Sequence, residues 1–151
     1  MPSQHPSRAW LVGTLLTALM LSTIAAAANQ GREFSGYFDV SGVQEQGELV
    51  QVTLHLKLFN HSDADARSVI VTLVDSSPAM TLRGNFSPVK VWKSQKFIEM
   101  SQQFSITQRE YREWMGPPAQ PNLVILFQDS NGHSWQKGAQ ISRRPLIRQE
   151  N

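Results

Sequence analysis

From Val50 to Phe59 the chain reads VQVTLHLKLF, and every even-numbered position is aliphatic: Val50, Val52, Leu54, Leu56 and Leu58. Gln51, Thr53, His55, Lys57 and Phe59 take the odd positions. Successive side chains of a strand point to opposite faces, whereas a helix would need an apolar stripe every 3.6 residues. Leu49–Asn60 is therefore expected to be a strand with one dry face and one wet one. The block RSVIVTLVD repeats the device with Val69, Val71 and Leu73, and its β-branched content favours a strand again. The polar stretch Asn60–Ala66 between them is a turn, serving either an antiparallel pair or a crossing between two sheets.

The same rhythm recurs more weakly elsewhere. Phe34–Val40 makes a first strand, and Lys96–Ile106 alternates through Ile98, Met100, Phe104 and Ile106. Phe86–Trp92 carries Val89 and Val91 in alternation, and Pro88, which has no backbone donor, confines it to a strand start or a sheet edge. Asn122–Asp129 and His133–Ser142 flank Ser130-Asn131-Gly132, and Asn131-Gly132 is a strong hairpin signal because both residues tolerate positive φ. One segment departs from the pattern. Thr107-Gln108-Arg109-Glu110 matches a capping box, Arg109 stands four residues before Glu113, and Gly116-Pro117-Pro118 supplies a stop, so a short helix is expected at 108–115 with Trp114 plugging one end of the core. Short strands separated by turns, with no strand–helix–strand repeat, give an all-β fold: an immunoglobulin-like antiparallel β-sandwich of about seven strands with one short helix.

Trp10–Ala28 is uncharged and follows a leader whose single cation is Arg8. An apolar centre at Leu11–Ile24 and small residues at Ala25–Ala28 are the plan of a secretory signal peptide with A-x-A cleavage sites. An uncleaved signal anchor is the competing reading, and only through it would the chain hold a membrane. The expected organisation is thus a signal peptide at 1–28, a sandwich at 29–142 and a basic tail at 143–151. Cleavage removes Arg8 and leaves 13 basic against 12 acidic side chains. Such a balance gives no electrostatic footprint for nucleic acid. The chain has no cysteine, which excludes disulfide staples, thiolate metal sites and a cysteine nucleophile. A chain bound for an oxidising compartment must then hold together by packing and β-ladders alone.

Val52–Asp75, VTLHLKLFNHSDADARSVIVTLVD, resembles the first half of small bacterial extracytoplasmic sandwich modules, the F-x-L-Y-D, CARDB-like and NEW3-like domains. The shared pattern is an alternating strand ending in Asn60, a small polar turn with Ser62, then Ala66, Val69, Val71, Leu73 and Asp75. Val74 stands where the L-Y-D motif has an aromatic. The resemblance implies a sandwich fold and an envelope location, in modules that serve as spacers or binding domains. It carries over no catalytic residue.

Constellations for catalysis are sparse. His55, His61 and His133 match no metal-ligand spacing, and neither G-x-S-x-G nor a glycine-rich phosphate loop occurs. The oxygen-rich turns Asp63-Ala64-Asp65 and Asp129-Ser130-Asn131-Gly132 lack the further ligands of a calcium loop and read as plain turns. Asn60-His61-Ser62 and Asn85-Phe86-Ser87 are glycan acceptors only in a eukaryotic secretory pathway. No catalytic residue, metal ligand or cofactor is therefore assigned. The candidate binding surface is Lys90, Trp92, Lys93 and Lys96, cations interleaved with an aromatic that could meet a sugar or an acidic partner. The competing account puts Val91 and Phe97 in the core and uses the lysines to guard an edge strand.

The expected function is a secreted or periplasmic, non-enzymatic interaction or structural module of the envelope, whose partner is an envelope or extracellular protein. Two alternatives are a carbohydrate-binding module, which would take a polysaccharide on exposed aromatics among Trp92, Trp114 and Trp135, and a small envelope hydrolase, which needs a histidine within hydrogen-bond reach of a serine or a carboxylate pair inside a pocket. Export predicts that intact-mass analysis of the secreted protein finds an N-terminus at Ala28 or Asn29; a chain that keeps residues 1–28 would be the anchored form.

Overall fold

The computed structural model describes residues 33–144, so the expected signal peptide at 1–28 and most of the tail at 143–151 lie outside the described residues. Strands β1 (Phe34–Gln46) and β2 (Leu49–Asn60) form a long antiparallel hairpin closed at Gly47, where φ is +67°. Strand β6 (Phe97–Thr107) pairs with the other side of β2, from Leu49↔Thr107 to Phe59↔Phe97. Strand β9 (Gln140–Arg143) adds in parallel to β1, giving a four-stranded sheet in the order β6-β2-β1-β9.

The second sheet is built on β3 (Ala66–Val74), with β7 (Asn122–Gln128) on one side and β8 (Ser134–Gly138) beyond it. Strands β4 (Leu82–Asn85) and β5 (Val89–Trp92) also pair with β3. They act as one strand interrupted by Phe86-Ser87-Pro88, and even there the Phe86 N–H donates to the Val71 carbonyl at 2.9 Å. The expected last strand, His133–Ser142, is likewise divided: β8 stays with β7, the chain crosses at buried Ala139, and β9 joins the opposite sheet. The division of the last strand, and the additional strand β4 that precedes the expected Phe86–Trp92, bring the expected seven strands to nine among the described residues. With β1, β2 and β6 in one sheet and β3, β7 and β8 in the other, the architecture is the immunoglobulin-like β-sandwich.

Asn60–Asp65 is a crossing between sheets, the second of the two arrangements open to that turn. Wholly buried Asn60 holds the crossing in shape: its amide donates to the Ala64 carbonyl (3.1 Å) and the Trp92 carbonyl (3.4 Å), and its oxygen accepts from Ser62 N (3.0 Å) and Ser62 Oγ (2.6 Å). Helix α1 (Gln108–Met115) makes another crossing, from β6 to β7, and both halves of its capping box are present. Thr107 Oγ1 accepts from Glu110 N at 3.1 Å, and the Glu110 carboxylate accepts from Thr107 N at 2.8 Å. Buried Glu110 also accepts two hydrogen bonds from Arg83 of β4, each 3.1 Å, which pin the helix to the second sheet. Arg109 pairs with Glu113 at 2.9 Å, and Trp114 is buried, both as expected.

Between the sheets lie Val50, Val52, Leu54, Leu56 and Leu58 from β2, facing Val69, Val71, Leu73, Leu123 and Ile125. Phe34 stacks on Trp92 with ring centres 4.8 Å apart and meets Phe127 edge-on at 5.3 Å. Each such side chain contributes about 1.5–3 kcal/mol by leaving water. Leu54→Ala is expected to cost about 2–5 kcal/mol in denaturant unfolding, the loss of transfer energy plus the cavity left behind. Gly36→Ala is expected to cost about 1–3 kcal/mol although it adds only a methyl. Its Cβ would collide with the Lys57 carbonyl oxygen and come within 2.9 Å of Leu58 Cα, both backbone atoms that the β1–β2 ladder holds in place.

Three aspartates organise the loops, and all are held below the usual carboxylate range. Asp75 is lowered chiefly by the Ser77 hydroxyl at 2.7 Å, Asp129 by the Trp135 indole N–H at 2.9 Å, and Asp65 by the Lys93 ammonium at 2.8 Å. Donors aimed at a carboxylate favour its charged form, so the stabilisation is complete above the unfolded value near 3.8 and is lost as pH falls through the lowered native values. The denaturation midpoint should hold steady from pH 7 to 5 and drop below about pH 4. Asp75→Asn should make that drop shallower; an unchanged slope would show that Asp75 contributes nothing to it.

Candidate functional site

The structure corrects the expected surface at Lys90, Trp92, Lys93 and Lys96. Lys90, Lys93 and Lys96 are exposed, and Lys93 is engaged with Asp65. Trp92 is 0% exposed, and its indole N–H donates to the Lys96 carbonyl at 2.9 Å. Of the competing assignment, the core placement fails, because Val91 and Phe97 are 43% and 53% exposed, whereas β5 with Lys90 does lie at a sheet edge. For β5 the cause is Ser68, whose φ of +49° breaks the alternation of β3. Arg67 is exposed and Val69 buried although they are two residues apart, and β5 follows its partner: Val91 lies opposite Arg67 and Trp92 opposite Ala66. Of the other tryptophans, Trp114 is buried and Trp135 is 47% exposed, with Lys137 5.4 Å from its ring centre.

A different surface brings the polar chemistry together. On the outer face of the four-stranded sheet, ladder register places side chains in rows. One row runs Ser142, Tyr37, Lys57, Glu99, and the next runs Gln140, Ser35, Phe59, Phe97. On the other side of the Tyr37 row lie Asp39, His55 and Ser101. Each strand contributes its wet positions, so the site uses the odd-numbered residues of β2 whose even-numbered neighbours form the core.

Several of these groups are held in position. His55 Nε2 lies 2.6 Å from Ser41 Oγ and Nδ1 lies 2.6 Å from Ser101 Oγ, so the ring is fastened from both sides. His61 Nε2 lies 2.5 Å from Ser35 Oγ. The Phe59 ring centre is 4.7 Å from that of Phe97 and 4.6 Å from that of His61, and Lys57 Nζ is 3.2 Å from Glu99 and 5.0 Å from the Phe97 ring centre.

Two adjoining hollows cover this face and share Tyr37. One, of about 500 Å³, is lined by Asp39, His55, Lys57, Met100 and Arg144. The other, of about 610 Å³, is lined by Phe59, His61, Phe97, Gln140 and Ser142. Tyr37 and Phe97, 44% and 53% exposed, present the largest accessible apolar surface in them. The charges balance, Asp39 and Glu99 against Lys57 and Arg144. A signal for this face was present in the alternation itself, which put Phe59 on the polar side of β2. His133 lies apart from it, in the β7–β8 turn 3.5 Å from Asp129. Among the described residues no group of three histidine, aspartate or glutamate side chains is arranged to hold a metal ion, and no helix is long and apolar enough to cross a membrane.

No protein-family model and no curated protein matches the chain. Among solved structures it is similar to the GH20 exo-β-N-acetylglucosaminidase of Vibrio harveyi in complex with N-acetylglucosamine, with 18% sequence identity and a TM-score of 0.45. An inactive mutant of that enzyme gives the same values. The match covers 76% of this chain and 19% of the enzyme's, and the enzyme's activity is not carried over.

Proposed function

We propose that this chain is an exported, non-enzymatic binding module of the cell envelope that holds its ligand on the outer face of the β6-β2-β1-β9 sheet. The carrying observation is the pair of adjoining hollows around Tyr37, which place exposed aromatic rings beside hydrogen-bonding groups already fastened to one another. The hollow around Phe59 and Phe97 has the composition of a binding surface, ring and aliphatic contact with a few placed polar groups, and the one around His55 adds polar and charged side chains. Export rests on the signal-peptide pattern of residues 1–28, and an envelope location agrees with the extracytoplasmic modules that Val52–Asp75 resembles.

The hydrolase alternative asked for a histidine beside a serine or a carboxylate pair in a pocket, and His55 and His61 each stand beside a serine, while the histidine paired with a carboxylate among the described residues is His133. A serine nucleophile also needs its histidine oriented by a third group, commonly a carboxylate on the other ring nitrogen. Both nitrogens of His55 are occupied by serine hydroxyls, and Asp39, in the same row, accepts the Val40 N–H at 2.8 Å. Nor do Asp39 and Glu99 favour glycoside hydrolysis, because both are exposed and stand two strands apart on different rows, with Glu99 paired to Lys57. These arrangements support binding over catalysis.

Titration of the isotope-labelled protein with solubilised envelope material should perturb amide resonances of β1, β2 and β6 more than those of β7 and β8. Tyr37→Ala combined with Phe97→Ala should weaken binding at least about tenfold, as loss of central aromatic contacts does, while leaving the unfolding midpoint nearly unchanged because both rings are exposed. Perturbations gathered on β7 and β8, or full affinity in the double variant, would overturn the proposal.

A further inference from the structure

We infer that the ligand of this face is an extended carbohydrate chain lying obliquely across the strands from Tyr37 toward Phe97. This rests on the binding-module proposal and names the ligand's chemistry. A sugar ring has an apolar C–H face and a rim of hydroxyls, each of which both donates and accepts. The sheet face offers the same two elements in alternation. Tyr37 and Phe97 supply accessible rings, Lys57 and Phe59 of β2 lie between them, and Ser35, His55, Ser101, Gln140 and Ser142 stand beside that line. The serine hydroxyls and the Gln140 amide can each donate to one ligand atom and accept from another, while His55, with both ring nitrogens taken, holds Ser101 in place.

Geometry favours a chain over a single sugar. Tyr37 and Phe97 are two strands and two residues apart in the ladders. At about 4.8 Å between strands and about 3.4 Å per residue, their backbones stand about 12 Å from each other. That separation exceeds one ring and suits several linked ones, and the hollows that contain the two aromatics share Tyr37 as a lining residue.

Charge and backbone argue against the other ligand classes. Two acidic and two basic side chains leave no net field for a polyanion or a polycation. A peptide ligand of a β-protein commonly adds a strand to a sheet edge through main-chain hydrogen bonds, whereas here the exposed groups belong to side chains on a sheet face. The fastened rows also limit the entropy lost on binding: Lys57 is tied to Glu99, Phe59 is packed between His61 and Phe97, and His55 is held by two serines.

The test uses envelope fragments divided into three portions: untreated, digested with protease, and oxidised with periodate, which cleaves vicinal diols of sugars. Purified protein should be retained equally on the first two portions and at least tenfold less on the third. Polysaccharide released from the digested fragments should compete for retention, and Tyr37→Ala and Phe97→Ala should each lower it severalfold without moving the melting temperature. Retention that vanishes with protease and withstands periodate would overturn the carbohydrate assignment and leave the binding face standing. Undiminished retention of both variants would overturn the face itself, and no retention on any portion would overturn both.

Discussion

Strand β2 is hydrogen-bonded along its length on both sides, to β1 from Phe34↔Asn60 to Gln46↔Leu49 and to β6 from Leu49↔Thr107 to Phe59↔Phe97. Its register is therefore doubly determined, and the rest of the molecule follows from it. Even positions enter the core and odd positions form the open face. A slip of one residue would exchange the two, placing Lys57 and His55 among leucines and exposing five aliphatic side chains. Stability and the proposed binding surface are thus opposite sides of one pattern.

A sandwich without cysteine must join its two layers by other means, and the joints here are polar. Asn60 fastens the β2–β3 crossing, Arg83 and Glu110 tie the inter-sheet helix to β4, and Asp65 links the same crossing to the β5–β6 turn through Lys93 and Ser94. Burying such groups is costly unless they are hydrogen-bonded. Among the described residues no buried side-chain nitrogen or oxygen lacks a partner. Helix α1 shows the economy of this scheme, since Glu110 caps its own helix and receives the guanidinium of another element at once.

Much of the fold was legible because its signals are local. Alternation marked β2, β3 and β6, and the capping box with its proline stop marked α1 at 108–115 to the residue. The errors on β5 have a non-local cause. The faces of Val91 and Trp92 follow the left-handed Ser68 in the neighbouring strand β3, whereas exposed Phe97 keeps to the alternation of β6, which buries Phe104 and Ile106. The division of His133–Ser142 into β8 and β9 was hidden for a similar reason. A strand that changes sheets at a sandwich edge keeps its inward side inward, and nothing in its own pattern marks the change of partner.

The sequence by itself determined that this chain forms strands with one wet side, that a short helix interrupts them at 108–115, and that cysteine chemistry is absent. Each of these depends on residue types at short spacing. Only the tertiary structure decided which wet sides lie next to one another. The face that carries Tyr37, His55, Phe59 and Phe97 draws on the β1–β2 hairpin and on β6, which the chain reaches only after crossing to the other sheet and back, and ladder register alone brings their rows together. Pairing partners are chosen by burial across the whole core, a non-local quantity that no window of the sequence contains.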